Sequence, residues 1–344
     1  MRRGTLAAAP VARTSRRRKD NLLQFDQLKA RILSLPQVAA WPQMLERIEG
    51  TVHRDLRCVW DFPIVACQAV GGTAAAALPG AAAVLCSLIG IHLVDDLLDD
   101  DPRGDFHRLG AGPAANLALA FQAAGHGALD DPEVPPAVRA ELHACLARMS
   151  LATAFGQHLD SREVDGEAEY WQVVEAKTPP LFGAALRLGA LLGGAPAATA
   201  GELERLGRLL GKFVQVSDDL ADALAKPASA DWQRRSNNLT ILFAMTADHP
   251  RREEFLLLSA ATHDPEALAA AQKLLLTSGA VSYCAWKMIE LAREAHAVLA
   301  GIPLPNREPL ARLLAAQLAP LERVLAVAGL EEPLVPATER SAAL

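Results

Sequence analysis

Leucine and alanine recur at spacings of three and four residues along most of this chain, which places apolar side chains on one face of an α-helix. The alternation of Val, Ile, Thr or Tyr with polar residues that indicates a β-strand is nearly absent. With 344 residues, of which 51% are hydrophobic, the chain can bury a substantial core. These features predict an all-α protein.

Short glycine- and proline-rich breaks separate the periodic segments, so we expect a single-domain bundle of about ten or more helices. The breaks are expected at Gly71-Gly72, Pro79-Gly80, 132–136, 193–196 and 302–305, each too short for an interdomain linker. Helices are predicted at 22–34, 38–49, 53–70, 81–99, 112–128, 136–161, 167–193, 200–224, 237–247, 252–260, 265–278, 281–300 and 308–328.

Charge divides the chain into a basic leader and an acidic body. The formal charge is 34 − 40 = −6, and the first nineteen residues carry seven cations and no acid, so the remainder sums to −6 − 7 = −13. Nucleic-acid binding needs clustered cations on the folded surface, and an acidic body argues against it. We expect a disordered leader (1–20), a helical domain (21–330) and a disordered tail (331–344).

The basic leader and the cysteines indicate in which cellular compartment the protein is expected. The leader lacks the continuous apolar stretch of a secretory signal, although its Arg, Ala, Ser and Thr are also compatible with an organellar transit peptide. Five cysteines are widely spaced and form neither a disulfide framework nor a zinc-ligand pattern. We therefore expect a reducing, cytoplasmic environment.

The segment from Ala69 to Val94 contains no charged residue and is long enough to cross a membrane. Gly71, Gly72 and Pro79 interrupt it. The sequence therefore predicts no transmembrane segment.

Two Asp-Asp-x-x-Asp motifs, at 95–99 and 218–222, follow apolar helical stretches about 120 residues apart. Asp95 and Asp99 share a helix face near a C-terminus, where they repel each other and oppose the helix dipole. A bound cation would remove both penalties, and Mg²⁺ prefers oxygen ligands while leaving positions for phosphate oxygens. The predicted metal ligands are Asp95, Asp96, Asp99, Asp218, Asp219 and Asp222.

Between the motifs lie Gly156-Gln157-x-x-Asp160 and Tyr170 followed seven residues later by Lys177-Thr178. With both aspartate motifs in this order, residues 25–325 resemble the polyprenyl synthetase (trans-isoprenyl diphosphate synthase) family. The resemblance implies the isoprenoid synthase fold, with helices around a central prenyl-binding cavity. It also implies an allylic prenyl diphosphate substrate, about three Mg²⁺ ions per site and a homodimer.

The resemblance assigns roles to individual residues. Asp95, Asp96, Asp99 and Asp218 would ligate Mg²⁺, directly or through water, and the other two acids of the second motif would support that site. Lys177 would contact the allylic diphosphate. The predicted catalytic residues are Asp95, Asp96, Asp99, Lys177, Asp218 and Asp219. Further predicted substrate-binding residues are Gln157, Asp160, Thr178 and Gln215.

The chain departs from the family where a second diphosphate, isopentenyl diphosphate, would bind. The family's Gly-Gly-Lys-Arg-x-Arg-Pro element is reduced to Arg57, and its Arg-Arg pair after the first motif is loosened to Arg103 and Arg108. Arg235 stands near the family's later loop lysine. Each lost charge-assisted bond is worth roughly 1.5–3 kcal/mol, so we expect weakened binding of isopentenyl diphosphate.

Three functions remain open. The first is prenyl transfer to isopentenyl diphosphate or another acceptor, and the second is a terpene synthase that uses the allylic donor alone. The third is a non-catalytic partner subunit, against which the six retained acids argue.

The depth of the prenyl tunnel is expected to depend on the residues one and two helical turns before Asp95. These are Ile91 and Ser87, with Gly90 adjacent, and none is aromatic. In the family, bulky residues at these positions block chain growth. The sequence therefore indicates a donor or product of about fifteen carbons or longer.

Overall fold

The computed structural model of the protein describes residues 24–53, 59–232 and 237–327, and within these ranges the regular elements are helices. The helices are α1 (24–33), α2 (Pro36–Ala39), α3 (Pro42–His53), α4 (Phe62–Ala69), α5 (Ala74–Asp99), α6 (Phe106–Leu109), α7 (Ala111–Leu129), α8 (Pro136–Asp160), α9 (Glu167–Lys177), α10 (Pro179–Leu192), α11 (Ala197–Ala223), α12 (Leu239–Thr246), α13 (Arg252–Ser259), α14 (Pro265–Thr277), α15 (Ala280–Gly301) and α16 (Glu308–Val327). Short 3-10 turns cover Val59–Asp61 and Ala230–Trp232. The predicted all-α bundle of ten or more helices is confirmed.

Two helices that are apolar on nearly every side form the centre of the bundle. α5 is buried without interruption from Ala77 to Gly90, and it packs against α4, α7 and α10. α10 is buried along almost its whole length and contacts α4, α8 and α11 as well. A helix with apolar residues all round is stable in water only when other elements cover every face.

α10 and α11 approach closely because glycines face backbone at their contact. A Cβ on Gly207 of α11 would overlap the carbonyl oxygen of Phe182 and lie 2.8 Å from the Cα of Gly183 on α10. No side chain larger than hydrogen fits there. This contact fixes α11, which carries the second aspartate motif, against the central helix.

Prolines set several helix starts that the predicted ranges missed. The continuous helices predicted at 53–70 and 167–193 were wrong: α4 and α10 begin anew with Pro63 and Pro179-Pro180 in their first turns. The single helix predicted at 38–49 is also two, with Pro36 and Pro42 at the starts of α2 and α3. Proline lacks the N–H that a helix interior needs, but it fits the first turn, where that N–H has no partner.

The break predicted at Pro79-Gly80 was also wrong, because the structure has one continuous helix there. α5 begins at Ala74, where the side chain of Thr73 accepts a hydrogen bond from the N–H of Ala76, and it continues through both residues. Both are buried in the core. Tertiary packing therefore outweighs the local cost of a proline near the helix start.

By length and composition α5 is the one helix among the described residues that could cross a membrane. However, 78% of its most apolar stretch is buried inside the bundle. It is therefore the core helix of a folded domain, and its burial, rather than a break at Pro79, accounts for the apolar segment.

Two Gly→Ala changes in α11 should have opposite effects on stability. Gly207→Ala forces a methyl group against α10, and overpacking of this kind lowers the free energy of unfolding by about 1–3 kcal/mol. Gly201→Ala meets only the end of the Arg187 side chain, at 4.0 Å, and should raise that free energy by about 0.5–1 kcal/mol. Urea unfolding of both variants checks this, and equal effects would contradict the proposed close packing.

Candidate active site

The five carboxylates at the end of α5 differ in backbone conformation and in hydrogen-bond partners. Asp95 and Asp99 lie one turn apart on the helix, and Asp100 ends it in the left-handed conformation, with φ 50°. Asp is among the few residues that tolerate this conformation. Asp101 folds back, accepting a hydrogen bond from the N–H of Arg103 at 2.7 Å and pairing with its guanidinium at 2.7 Å. The first motif is thus presented at a sharply terminated helix end.

Gly156 brings α8 against the end of α9. A Cβ on Gly156 would overlap the carbonyl carbon of Ala176 and lie 2.5 Å from the backbone nitrogen of Lys177. Only glycine permits this approach. The next residue, Gln157, and Asp160 one turn further are thereby carried beside Lys177.

Lys177 joins the first aspartate motif to α8. Its Nζ donates to Asp160 Oδ2 at 2.6 Å and lies 3.3 Å from Asp95 Oδ1, which also accepts from Gln157 Nε2 at 2.5 Å. Burial would raise the pKa of Asp95, but the charge of Lys177 and the bond from Gln157 outweigh it, so this pKa is lowered. Burial would lower the pKa of Lys177, but Asp95 and Asp160 raise it overall. The pair is therefore charged in the folded protein.

In the second motif Asp219 points into the protein. Its carboxylate accepts hydrogen bonds from Tyr170 Oη at 2.7 Å, from the N–H of Leu239 at 2.8 Å and from Gln215 Nε2 at 2.9 Å. Burial raises the pKa of Asp219 to about 7, although these bonds act in the opposite direction. Its predicted metal ligation stays a prediction, and its bonds are those of a carboxylate that fixes α11 against α9 and α12.

Asp218 and Asp222 of the same motif are at the surface of α11, unlike Asp219. They are spaced by four residues, so they share a helix face, and both are exposed. Thr178 Oγ1 donates to Gln215 Oε1 at 2.6 Å, which connects the Lys177-Thr178 element to the helix that carries them. Burial and the charge of Asp218 raise the pKa of Asp222.

The two motifs lie near each other. The pKa of Arg103 is raised first by its bond to Asp101, and also by the charges of Asp222 in the second motif and Asp96 in the first. Asp101 likewise raises the pKa of Asp222. The ends of α5 and α11 are therefore close enough for their charges to interact.

The predicted cationic residues are distributed unevenly. The side chain of Arg103 is 87% exposed. Arg108 turns towards α3, where it pairs with Glu46 at 3.1 Å, and it lies 3.7 Å from Asp105. Arg57 and Arg235 lie outside the described residues. Substrate binding by all four stays a prediction.

The two predicted tunnel residues have different surroundings. Ser87 is fully buried and donates to the carbonyl of Ala83 at 2.8 Å, on the side of α5 that faces Gly125 of α7. Ile91 is only partly buried and lies one turn before Asp95. Their roles in a tunnel stay predictions.

Two consecutive asparagines that the sequence analysis did not single out lie beside the site. Asn238 is fully buried and donates to the carbonyl of Asp219 at 2.7 Å. Asn237 donates to the carbonyl of Asp160 at 2.7 Å. An Asn before an apolar helix predicts an N-cap, and Asn238 does cap α12, but that local signal does not reveal the contacts with both motifs.

The carboxylates suit Mg²⁺ held jointly with a diphosphate. Among the described residues, no three His, Cys, Asp or Glu side chains converge to hold a metal without further ligands. Mg²⁺ usually takes one or two carboxylates, several waters and substrate phosphates rather than a cage made of protein alone. Asp95 and Asp99 on one side, with Asp218 and Asp222 on the other, provide such a donor set.

Solved structures with the same arrangement of helices define the class of the fold. The structure is similar to geranylgeranyl pyrophosphate synthetase from Pyrococcus horikoshii, with a TM-score of 0.77 and 20% identity over 90% of this chain and 98% of that one. It is also similar to a decaprenyl diphosphate synthase from Rhodobacter capsulatus, with a TM-score of 0.74 and 20% identity over 92% and 99% of the two chains. The protein has the isoprenoid synthase fold, as the sequence predicted.

The sequence identifies the family within this fold. Residues 91–275 match the polyprenyl synthetase family, and the chain belongs to it. It is 28% identical over 263 residues to a short chain isoprenyl diphosphate synthase of Methanothermobacter thermautotrophicus, covering 69% of this chain and 78% of that protein. It is 33% identical over 173 residues to a geranylgeranyl diphosphate synthase of Methanosarcina mazei, covering 47% and 53%. The predicted family and the predicted enzyme class, prenyltransferase, are confirmed.

Removing the Tyr170 hydroxyl should destabilise the protein. Tyr170→Phe deletes one bond to the buried carboxylate of Asp219, and hydrogen bonds to charged groups contribute about 1.5–3 kcal/mol. Tyr283→Phe is the matched control, because its hydroxyl bonds the exposed Glu167 at 2.5 Å. Denaturant unfolding of both variants above pH 7, where Asp219 is mostly ionised because its pKa is about 7, should show a clearly larger loss for Tyr170→Phe, and equal losses would argue against a structurally important Asp219.

Proposed function

We propose that the protein is a Mg²⁺-dependent prenyltransferase that ionises an allylic prenyl diphosphate and transfers the prenyl group to isopentenyl diphosphate or to another acceptor. One observation carries the proposal: the two aspartate motifs lie near enough for charges at their helix ends to interact, and a charged, half-buried Lys177 lies beside Asp95 of the first motif. This arrangement presents carboxylates to metal ions and a cation to a diphosphate. It suits binding and departure of a diphosphate rather than proton transfer.

The residues act mainly by positioning. Lys177 is held by Asp95 and Asp160, and its ammonium can donate to a diphosphate oxygen without crossing the site. Gln157 orients Asp95, and the bonds from Tyr170 and from the N–H of Leu239 to Asp219 hold the end of α11 that carries Asp218 and Asp222. Bound Mg²⁺, about three ions by resemblance to the family, would stabilise the charge that develops on the leaving diphosphate.

The acceptor distinguishes the candidate functions. The named relatives are isoprenyl and geranylgeranyl diphosphate synthases, which favours transfer to isopentenyl diphosphate. The eroded cationic element before α4 favours an acceptor without a diphosphate, or a terpene synthase that needs only the donor. We place transfer first because the complete pair of aspartate motifs and the matched family region accompany it.

The decisive experiment compares products with and without isopentenyl diphosphate. Purified protein and Mg²⁺ are incubated with geranyl, farnesyl or geranylgeranyl diphosphate, and the products are analysed by mass spectrometry. Longer diphosphates formed only with isopentenyl diphosphate would support chain elongation. Hydrocarbon or alcohol from the donor alone would indicate a terpene synthase. Release of no product in either arm would exclude both reactions and leave another acceptor or a partner-subunit role.

Substitution of single aspartates should separate metal binding from folding. Asp95→Asn and Asp218→Asn keep the size of the side chain but remove a carboxylate, so turnover should fall by at least about 100-fold with little change in Tm. Asp100→Asn is the matched control, because Asp100 belongs to the same acidic run but ends the helix, and Asn also tolerates its conformation. It should keep at least about half of the activity. Near-normal turnover of Asp95→Asn would refute the proposed role.

We also propose that the protein is a homodimer whose interface includes α7 and α8. α7 contains no Asp, Glu, Lys or Arg along its length, and the helices lie side by side, with Ser150 donating to Gln122 at 3.1 Å. Large apolar side chains are exposed there, namely Leu119 (68%), Leu151 (74%) and Phe155 (56%). An exposed uncharged helix face of this kind is typical of an interface.

Charge placed on this face should separate the subunits. Leu119→Glu with Leu151→Glu should shift the mass measured by light scattering after gel filtration from dimer to monomer, because carboxylates are costly in an apolar interface. Leu257→Glu is the control, because Leu257 is 76% exposed but lies on α13. A wild-type monomer, or a dimer that survives both changes, would contradict the proposed interface.

A cytoplasmic location is proposed from the cysteines. Cys67, Cys86, Cys145 and Cys284 are buried as free thiols, and Cys58 lies outside the described residues. Buried free thiols suit a reducing compartment.

A further inference from the structure

We infer that Asn237 and Asn238 form a clamp that sets the separation of the two aspartate motifs, and that they are positioning residues for the Mg²⁺ and diphosphate site. The inference rests on the proposed function for the chemistry of that site. It concerns two adjacent side chains, neither of which carries charge.

Asn237 holds the half of the site that contains the first motif. Its Nδ2 donates to the carbonyl of Asp160 at 2.7 Å, to Asp160 Oδ1 at 3.1 Å and to the carbonyl of Arg162 at 2.9 Å. Its Oδ1 accepts from the N–H of Val164 at 3.2 Å. Asp160 in turn binds Lys177, which lies beside Asp95. A short chain of polar contacts therefore runs from Asn237 to the first motif.

Asn238 holds the half that contains the second motif. Its Nδ2 donates to the carbonyl of Asp219 and to Asp231 Oδ2, each at 2.7 Å. Its Oδ1 accepts from the N–H groups of Thr240 at 3.0 Å and Ile241 at 3.2 Å, which caps α12. The next N–H, that of Leu239, donates to Asp219 Oδ2. Asn238 is fully buried, and both ends of its amide have partners.

Adjacency makes these two residues a clamp rather than two unrelated contacts. Neighbouring Cα atoms are about 3.8 Å apart, so the two anchored sites cannot separate without breaking one set of bonds. The first set reaches α8 and, through Lys177, α5, whereas the second reaches α11. Asn237 and Asn238 thus connect Asp160 and Asp219 through neighbouring residues.

The function of the clamp is to hold carboxylates that repel each other at a fixed spacing. Carboxylates of the two motifs that lie near each other repel electrostatically before metal binds. Metal ions shared between the motifs require a fixed spacing, and outer contacts that orient ligands commonly change metal affinity by about 10–100-fold. The clamp therefore holds the site in the geometry that metal and diphosphate require.

The test uses variants that separate the clamp from the helix cap. Asn238→Asp keeps the acceptor for α12 but loses both donors, and Asn237→Ala loses the contacts with Asp160. Gln272→Ala is the matched control, because its buried amide also donates to backbone carbonyls at the end of α11, those of Ala223 at 3.2 Å and Ala225 at 2.9 Å. It contacts neither motif. All variants are assayed below their Tm.

Two measurements are made, namely turnover of an allylic diphosphate against Mg²⁺ concentration, and calorimetric binding of inorganic diphosphate at fixed Mg²⁺. We expect both asparagine variants to need about 10-fold or more Mg²⁺ for half-maximal turnover and to bind diphosphate correspondingly more weakly. Gln272→Ala should lower Tm but leave both curves within about twofold of wild type. The double asparagine variant should need little more Mg²⁺ than the single variant with the larger defect. This is expected because losing the contacts of either asparagine is enough to open the clamp.

Three results would overturn the inference. One is an unchanged Mg²⁺ dependence in both asparagine variants despite a lower Tm, which would make the bonds purely structural. Another is an equal shift of the Mg²⁺ dependence in the control Gln272→Ala. The third is a double asparagine variant whose fold-change in Mg²⁺ requirement equals the product of the two single fold-changes. A wild-type protein without turnover would instead contradict the proposed function, and the diphosphate-binding curves would still decide whether the clamp exists.

Discussion

The structure depends on bringing together carboxylates that repel one another. Asp95, Asp96 and Asp99 end one helix and Asp218, Asp219 and Asp222 end another, and the fold holds both ends close to a common space. The positive charge of Lys177 offsets the repulsion between carboxylates at Asp95 and Asp160. Three hydrogen bonds stabilise the carboxylate of Asp219. Asp218 and Asp222 are exposed, where metal or water can meet them. Asp95 and Asp219 are thus held by partners inside the protein, whereas Asp218 and Asp222 lie at the surface.

Close helix packing makes this arrangement rigid. Gly156 allows α9 to touch α8, and Gly207 allows α11 to touch α10, so the helices that carry the polar residues are fixed by backbone contact. A side chain at either contact would overlap backbone atoms of the facing helix and displace a helix that carries site residues. The small residues are as important for the site as the charged ones, although they contribute no chemistry.

Much of the fold followed from sequence periodicity, and the exceptions have physical causes. The helices predicted at 112–128 and 265–278 agree closely with α7 and α14, because their apolar spacing and end signals are local. The missed starts at Pro63 and Pro179 came from reading apolar spacing across prolines. The false break at Pro79 arose because core packing, which no local pattern shows, outweighed the local preference.

Local sequence motifs predicted part of the candidate site, and long-range contacts determined the rest. Spaced motifs made the aspartates, Lys177 and Gln157 candidates, and the structure brings Asp95, Gln157, Asp160 and Lys177 into contact. The inward orientation of Asp219 could not be read from a motif in which all acids look equivalent. Asn237 was missed because its partner Asp160 is 77 residues away, a relation that one sequence does not contain.

The burial of α5 has a consequence for how such an enzyme can diversify. The helix that presents Asp95 is covered on every side over its middle part, and Ser87 is bonded within it. A larger residue there would have to displace α7, whereas Ile91 has room on its exposed side. Stability therefore restricts variation on this helix to its last turns. Substitutions that alter specificity with little loss of stability are therefore expected near Ile91 and the aspartates, and substitutions in the buried middle of α5 are expected to destabilise the bundle.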